Sequence, residues 1–269
     1  MSKPKSDYSI QTVSNALRLL AAFDRDYELG VSELSRRLGL HKNNVFRLLA
    51  TLEEGGYIEQ CAQSELYRLG VGCLELGQAY TRGHELLRCS LPILEELSGQ
   101  VRESSHLAVL QNFEVVHLHG VQPQRLVLTA LRTGDRLPAH CSALGKVLLG
   151  CASQEIRQAY DRRVVGVDGL RAASGSTIVD RDKFFEHLRS VAVQGFALDL
   201  EESEQGLHCA AAPVHDSAGQ LCAAVSVSGP SFRLGEEFLF REIVPVVTAA
   251  ADRLSSAIGA ERRGGAVIG

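Results

Sequence analysis

Asn43, Asn44 and Arg47 share one side of a stretch that reads as a helix, His41 to Glu54, and their side chains are of the kind that read base edges. At 3.6 residues per turn Val45, Leu48, Leu49 and Leu52 form an apolar stripe, the surface such a helix turns toward a core. Asn43, Asn44, Arg47 and Ala50 then face away, with amides and a guanidinium where a plain solvated helix carries mixed Glu and Lys. Asn bonds bidentately to adenine and Arg to guanine, and an α-helix fits the major groove.

The preceding residues must hold that helix in place. Glu33 to Leu38 reads as a short support helix with Ser32 as its N-cap, Leu34 and Leu38 as its buried pair and Gly39 as its stop. With Gly39-Leu40 as the turn, this is helix-turn-helix grammar. On this evidence alone an ordinary helical hairpin is an equal alternative. Tyr57 to Gln60 and Leu66 to Leu69, two strand-like runs around a polar stretch, move the balance by adding a two-stranded wing. Gln11 to Phe23 supplies a third helix, with Val13, Leu17, Leu20 and Ala21 expected on its packed face. From Val31 to Ala50, Arg36, Arg37, Lys42 and Arg47 stand against Glu33 alone, so Arg36, Arg37 and Lys42 are the phosphate candidates beside the base readers Asn43, Asn44 and Arg47.

The stretch LSRRLGLHKNNVFRLLATLEEGGYIEQ followed by YRLG resembles the N-terminal domain of the IclR family of bacterial transcriptional regulators. Relatives often carry Ser or Thr where Asn43-Asn44 stand, so their operator sequences do not transfer to this chain.

Composition fits two domains: 269 residues, 45% hydrophobic, 22% charged, net charge −4, and no apolar run long enough to span a membrane. Met1 to Ser9 is polar and lacks the apolar core of a signal peptide, which places the expected location in the cytoplasm and makes this segment an arm. Seven cysteines without a CxxC pair signal neither a disulfide framework nor a zinc ribbon.

Further along, Gly70 to Arg82 reads as a linker helix. Glu85 to Val101 is helical, with Leu87, Leu91, Leu94, Leu97 and Val101 in one stripe and Pro92 expected to bend or interrupt it. Period-two runs follow at His106–Leu110, Glu114–His119, Arg125–Leu131, Phe196–Leu200, Gly206–Val214 and Leu221–Ser228, with helices from Ser142, at Asp182–Val193 and at Leu234–Ile258. His117 and His119 are expected on a solvent-facing side. The reading is an α+β protein: a winged helix-turn-helix domain over 8–69, a linker helix over 70–84, and a GAF-like α+β domain over 85–260 that resembles the effector-binding domain of the same family.

That second resemblance rests on HCSALGK, GFALDLEESEQGLHCAAAPV and AAVSVSGP. It implies a small organic effector, often a carboxylate, held by backbone N–H groups of Ala143 and Leu144 and by side chains of Asp199, Cys209, Ser226 and Ser228. The chemistry is consistent, because a helix opening near Ser142 offers unpaired N–H groups at its positive end, and Ser226 and Ser228 point to one side of a strand. Without the resemblance, two packing-tolerant serines and a buried small thiol are the simpler reading. Two contrasts are a hydrolase using Cys209 with His140 and Asp199, and a metal site from His140-Cys141 and His208-Cys209. The second is weak, since neighbours on a strand face opposite ways. No cofactor or metal is expected. The partners expected are double-stranded operator DNA of pseudopalindromic sequence, a small organic acid, and further copies of the chain as a dimer or tetramer.

Overall fold

The computed structural model describes residues 9–24, 26–123 and 133–259. The strand expected at Arg125–Leu131, most of the N-terminal arm and the glycine-rich end lie outside them. The chain divides after Gly83 into two compact units.

The first unit contains α1 (Gln11–Ala21), α2 (Val31–Leu38), α3 (Lys42–Glu54), the antiparallel pair β1 (Ile58–Gln60) and β2 (Tyr67–Leu69), and α4 (Val71–Gly83). Leu19, Leu34, Val45, Leu49 and Ile58 form the centre of its core. Gly39 stops α2 in the left-handed conformation, φ 66°, which a side chain disfavours. The N-cap of α2 is Gly30, without a side-chain capping bond, and Ser32 lies inside the helix. Ser32 is displaced from capping because the helix begins at Val31, two residues before the expected start at Glu33. The packed face of α1 also differs. Leu19 is buried, with Ala16 and Leu20 beside it, whereas Val13 and Leu17 are exposed. The wing abuts α4 closely: a Cβ on Gly70 would lie 2.3 Å from the Gly56 carbonyl oxygen.

The second unit is a six-stranded antiparallel sheet in the order β5-β4-β3-β8-β7-β6, from β3 (Ser104–Gln111), β4 (Glu114–Val121), β5 (Arg136–Pro138), β6 (Ala197–Leu200), β7 (Leu207–His215) and β8 (Leu221–Pro230). Its helices are α5 (Glu85–Val101), α6 (Ala143–Gly150), α7 (Gln154–Tyr160), α8 (Gly166–Asp168), α9 (Arg181–Gln194), α10 (Glu236–Phe238) and α11 (Val244–Ala257). Alternation along the strands gives two apolar faces. Leu107, Ala212, Val225 and Val227 pack with α5 and α11. Ala108, Ala211 and Ala224 pack with α6 and α9.

Pro92 does not interrupt α5, which runs unbroken for 17 residues; Pro92 is exposed, so the carbonyl it leaves without an N–H partner can meet water. Leu91 is also exposed, and Ile93 takes its place in the buried stripe. The closing segment is α10, a π turn at Leu239–Ile243, and α11 with Pro245 in its first turn, where the ring needs no helical donor.

Among the described residues no helix is long and apolar enough to cross a membrane.

Candidate functional site

On α3, His41 caps the helix by accepting from the Asn43 N–H through Nδ1 at 3.3 Å. Val45, Leu48 and Leu49 are buried, while Lys42, Asn43, Asn44, Arg47 and Ala50 are exposed. The side chains of Lys42, Asn43, Asn44 and Arg47 make no hydrogen bond or ion pair among the described residues, so they are available to a partner. Phe46, 57% exposed, lies on the same helix and was not among the expected readers. The arginines of α2 differ from those of α3. Glu33 accepts from Arg36 Nε at 2.9 Å and from Arg37 Nε at 2.6 Å, and Arg37 also meets Asp26 at 2.7 Å. The two guanidiniums hold the Glu33 carboxyl down to about 2. Arg36 and Arg37 therefore carry part of their charge already balanced.

In the second unit the register brings Asp199, Cys209, Ser228 and Ser104 into one row across β6, β7, β8 and β3, each directly opposite the next. The next row pairs Ala211 with Ser226 and Ser226 with His106. Direct partners share a sheet face, so Asp199, Cys209, Ser226, Ser228 and His106 all look toward α6. Ser142 caps α6 by accepting from the Gly145 N–H at 3.1 Å, which leaves the Ala143 and Leu144 N–H groups without helical acceptors. A cavity of about 40 Å³ lies here, lined by all six residues expected from the sequence, Ala143, Leu144, Asp199, Cys209, Ser226 and Ser228. That space exceeds the ~10–15 Å³ needed for one water.

His106 and His117 complete the lining with Leu137, Ser142, Ser203 and Leu207. His106 Nε2 lies 3.0 Å from Ser228 Oγ, and the two imidazoles meet edge to face with centroids 5.3 Å apart. His117 is buried, contrary to the solvent-facing position expected of it. It pairs with Ala108 and so faces α6, and a bulge follows it: Leu107 pairs with His119, leaving Leu118 as the extra residue. His119 consequently turns to the opposite face, where Nδ1 lies 3.4 Å from Ser90 Oγ of α5.

Asp199 has no exposed surface and accepts from the Glu202 N–H at 2.7 Å, the Ser203 N–H at 3.2 Å and the Ser203 hydroxyl. Burial pushes its carboxyl up, against the downward pull of those donors and of Lys146. Glu202 is pushed up likewise by burial while its ion pair with buried Lys146 opposes the shift.

His140 is not part of the lining; its Nε2 lies 2.8 Å from the Arg171 carbonyl oxygen. Its partner in the metal alternative, His208, has Nδ1 2.7 Å from the Leu234 carbonyl oxygen. Cys209 and Asp199 thus line the cavity without His140, the base that the hydrolase alternative assigned to them. Among the described residues no group of three or more His, Cys, Asp or Glu could hold a metal ion.

Residues 12–61 match the IclR helix-turn-helix domain, and residues 78–256 match the family described as bacterial transcriptional regulator IclR, C-terminal. The chain belongs to the IclR family. It is 33% identical to the HTH-type transcriptional regulator KdgR of Escherichia coli K12 over 95% of each chain. The crystal structure of an IclR transcriptional regulator from Alicyclobacillus acidocaldarius has the same fold, with a TM-score of 0.84 at 23% identity over 94% of this chain and 100% of that one. An IclR homolog from Microbacterium hydrocarbonoxydans, solved in complex with 4-hydroxybenzoate, gives 0.79 at 25% identity over 92% and 98%. The protein is thus a ligand-responsive transcriptional regulator of the IclR type, with a DNA-binding helix-turn-helix domain and an effector-binding α+β domain.

Proposed function

We propose that this IclR regulator binds a pseudopalindromic operator as a homo-oligomer and releases or retains it according to a small organic acid held in the cavity between α6 and the sheet. One observation carries the reading of the acid: Ala143, Leu144, Asp199, Cys209, Ser226 and Ser228, drawn from four separate elements, converge on one cavity. The helix N-terminus supplies N–H donors and a favourable dipole for a carboxylate, and the serine hydroxyls donate from the sheet side. That a homolog was crystallised with 4-hydroxybenzoate supports an acid as the ligand class.

On DNA, Asn43, Asn44 and Arg47 read base edges, and Lys42, with Arg36 and Arg37, contacts phosphate. One such helix makes few base contacts, so two copies reading two half-sites give the required specificity. Exposed Val13 and Leu17 on α1, and Val71, Leu74 and Tyr80 on α4, offer apolar surface for self-association. The ligand shifts operator affinity only by favouring one arrangement of the domains over another, and α4 is the segment that carries this difference.

A thermal-shift screen of small carboxylates on the wild type and on Ser226→Ala tests the cavity. A stabilising acid whose effect vanishes in the variant supports the reading. An acid that stabilises both proteins equally removes it.

A further inference from the structure

We propose that the His106–His117 pair selects the effector, reading a hydroxyl or oxo oxygen, and that the effector is a short, non-aromatic hydroxy- or oxo-carboxylic acid. The inference rests on the reading of the cavity as the effector site and narrows its ligand class.

The first argument is the chemistry of the wall. Aliphatic lining comes from Leu137, Leu144 and Leu207 together with Ala143, while the other lining residues bear N, O or S groups. Among the described lining residues there is no phenyl, phenol or indole ring. An aromatic acid placed here would bury its ring faces against imidazoles, hydroxyls and a carboxylate, and each polar group covered without a partner costs about 1–3 kcal/mol. A hydroxylated or oxo acid instead returns hydrogen bonds to them.

Position supplies the second argument. On the sheet side β8 lies between β7, with Cys209, and β3, with His106, and its Ser226 and Ser228 look toward α6, whose first N–H groups make this the place where a carboxylate is best stabilised. The histidines come from the next two strands: His106 on β3 is the direct partner of Ser226, and His117 on β4 is the partner of Ala108. The ligand therefore runs from its acid end at α6 and β8 toward β3 and β4, and its second polar atom meets the histidines. The small volume, about 40 Å³, favours a short chain.

The third is the imidazole itself. A neutral ring carries one donor and one acceptor nitrogen, so it can serve either a hydroxyl or an oxo group. His106 also shares a hydrogen bond with Ser228, at 3.0 Å, linking recognition of the oxygenated end to the hydroxyl that binds the acid end. Both rings are buried, and their edge-to-face contact restrains their orientation before ligand arrives.

The test is calorimetric titration of the full chain with pyruvate, L-lactate, propionate and 4-hydroxybenzoate, repeated on His117→Leu, His117→Gln and Ser226→Ala. Propionate keeps the carboxylate and chain length but lacks the second oxygen. The expected result is that lactate or pyruvate binds the wild type at least tenfold more tightly than propionate or 4-hydroxybenzoate. His117→Leu then loses that preference while still binding propionate, and His117→Gln, which retains a donor and an acceptor, restores part of it. Equal affinity for propionate and lactate, a preference for 4-hydroxybenzoate, or an unchanged preference in His117→Leu overturns the proposal while leaving the cavity reading intact. Binding of these acids that is untouched in Ser226→Ala, or no binding of any of them, overturns the cavity reading and the proposal together.

Discussion

Lys146, with no exposed surface, donates its Nζ proton to Glu202 Oε1, and the pair joins the first turn of α6 to the turn that follows β6. These are two walls of the cavity, since Ala143 and Leu144 precede Lys146 and Asp199 accepts from the Glu202 N–H. Removing one partner leaves a buried charge without compensation. Lys146→Met or Glu202→Gln alone should cost about 3–5 kcal/mol, and the double variant should cost less than the sum of the two. Urea unfolding of the four proteins checks this; additive losses would show that the two charges are not coupled.

The exposed groups of α3 divide into two kinds. Arg47→Ala should reduce discrimination between operator and altered half-sites by about 1–3 kcal/mol, whereas Lys42→Ala should weaken all sequences alike and lower the salt slope by about one. Gel-shift titrations against operator and random duplex at several salt concentrations separate them. Arg37→Ala should have the smaller effect on affinity of the α2 arginines, since its charge is shared between Glu33 and Asp26.

The glycines beside the linker are not equivalent. A Cβ on Gly77 meets nothing within 4 Å, while one on Gly72 would lie 3.0 Å from the Gly56 carbonyl oxygen and one on Gly70 only 2.3 Å from it. Gly77→Ala should therefore leave the fold intact and raise helix stability by up to about 1 kcal/mol. It thus tests whether flexibility in α4 carries the ligand response. Gly70→Ala should destabilise the first unit, as read by its thermal unfolding, because backbone must shift to admit the methyl group.

Acid should act through His187. Burial, with the nearby Lys146 charge adding to it, lowers its imidazole from the ordinary 6.5 to about 4. The unfolded chain therefore takes up this proton first. The stability His187 contributes is complete above pH 6.5 and is lost progressively as pH falls toward 4. The buried carboxyls Asp199 and Glu202, whose values are raised, act in the opposite sense and remain in both proteins of a comparison. Relative to wild type, His187→Gln should thus lose about 1–3 kcal/mol less between pH 7 and pH 4.5, measured by denaturant unfolding.

Much of this was legible in the residues. The stripe Val45, Leu48, Leu49 fixed which side of α3 is exposed, because burial follows period 3.6 with little interference from neighbours. The pairing of Ser226 and Ser228 on one face followed from period two in a regular strand. What escaped depended on tertiary partners. On α1, residues 13, 17 and 20 and residues 16, 19 and 20 make comparable stripes, and only the positions of α2 and α3 select Leu19. The three-residue β5 is defined by its bonding to β4 rather than by its own composition. The charge balance around Glu33 was countable, but its hydrogen bonds to both Arg36 and Arg37 required the helix.

The bulge at Leu118 has a consequence for how such pockets diverge. Before it, β4 presents one parity of its residues to the ligand face; beyond it, the other. Moving the extra residue two places toward the C-terminus would set His119 opposite His106 and bring it onto the cavity face beside His117 without altering any amino acid there. An insertion paired with a compensating deletion can therefore rewrite ligand preference, and homologous positions in an alignment need not be homologous surfaces. Here phase, as much as identity, is the inherited character.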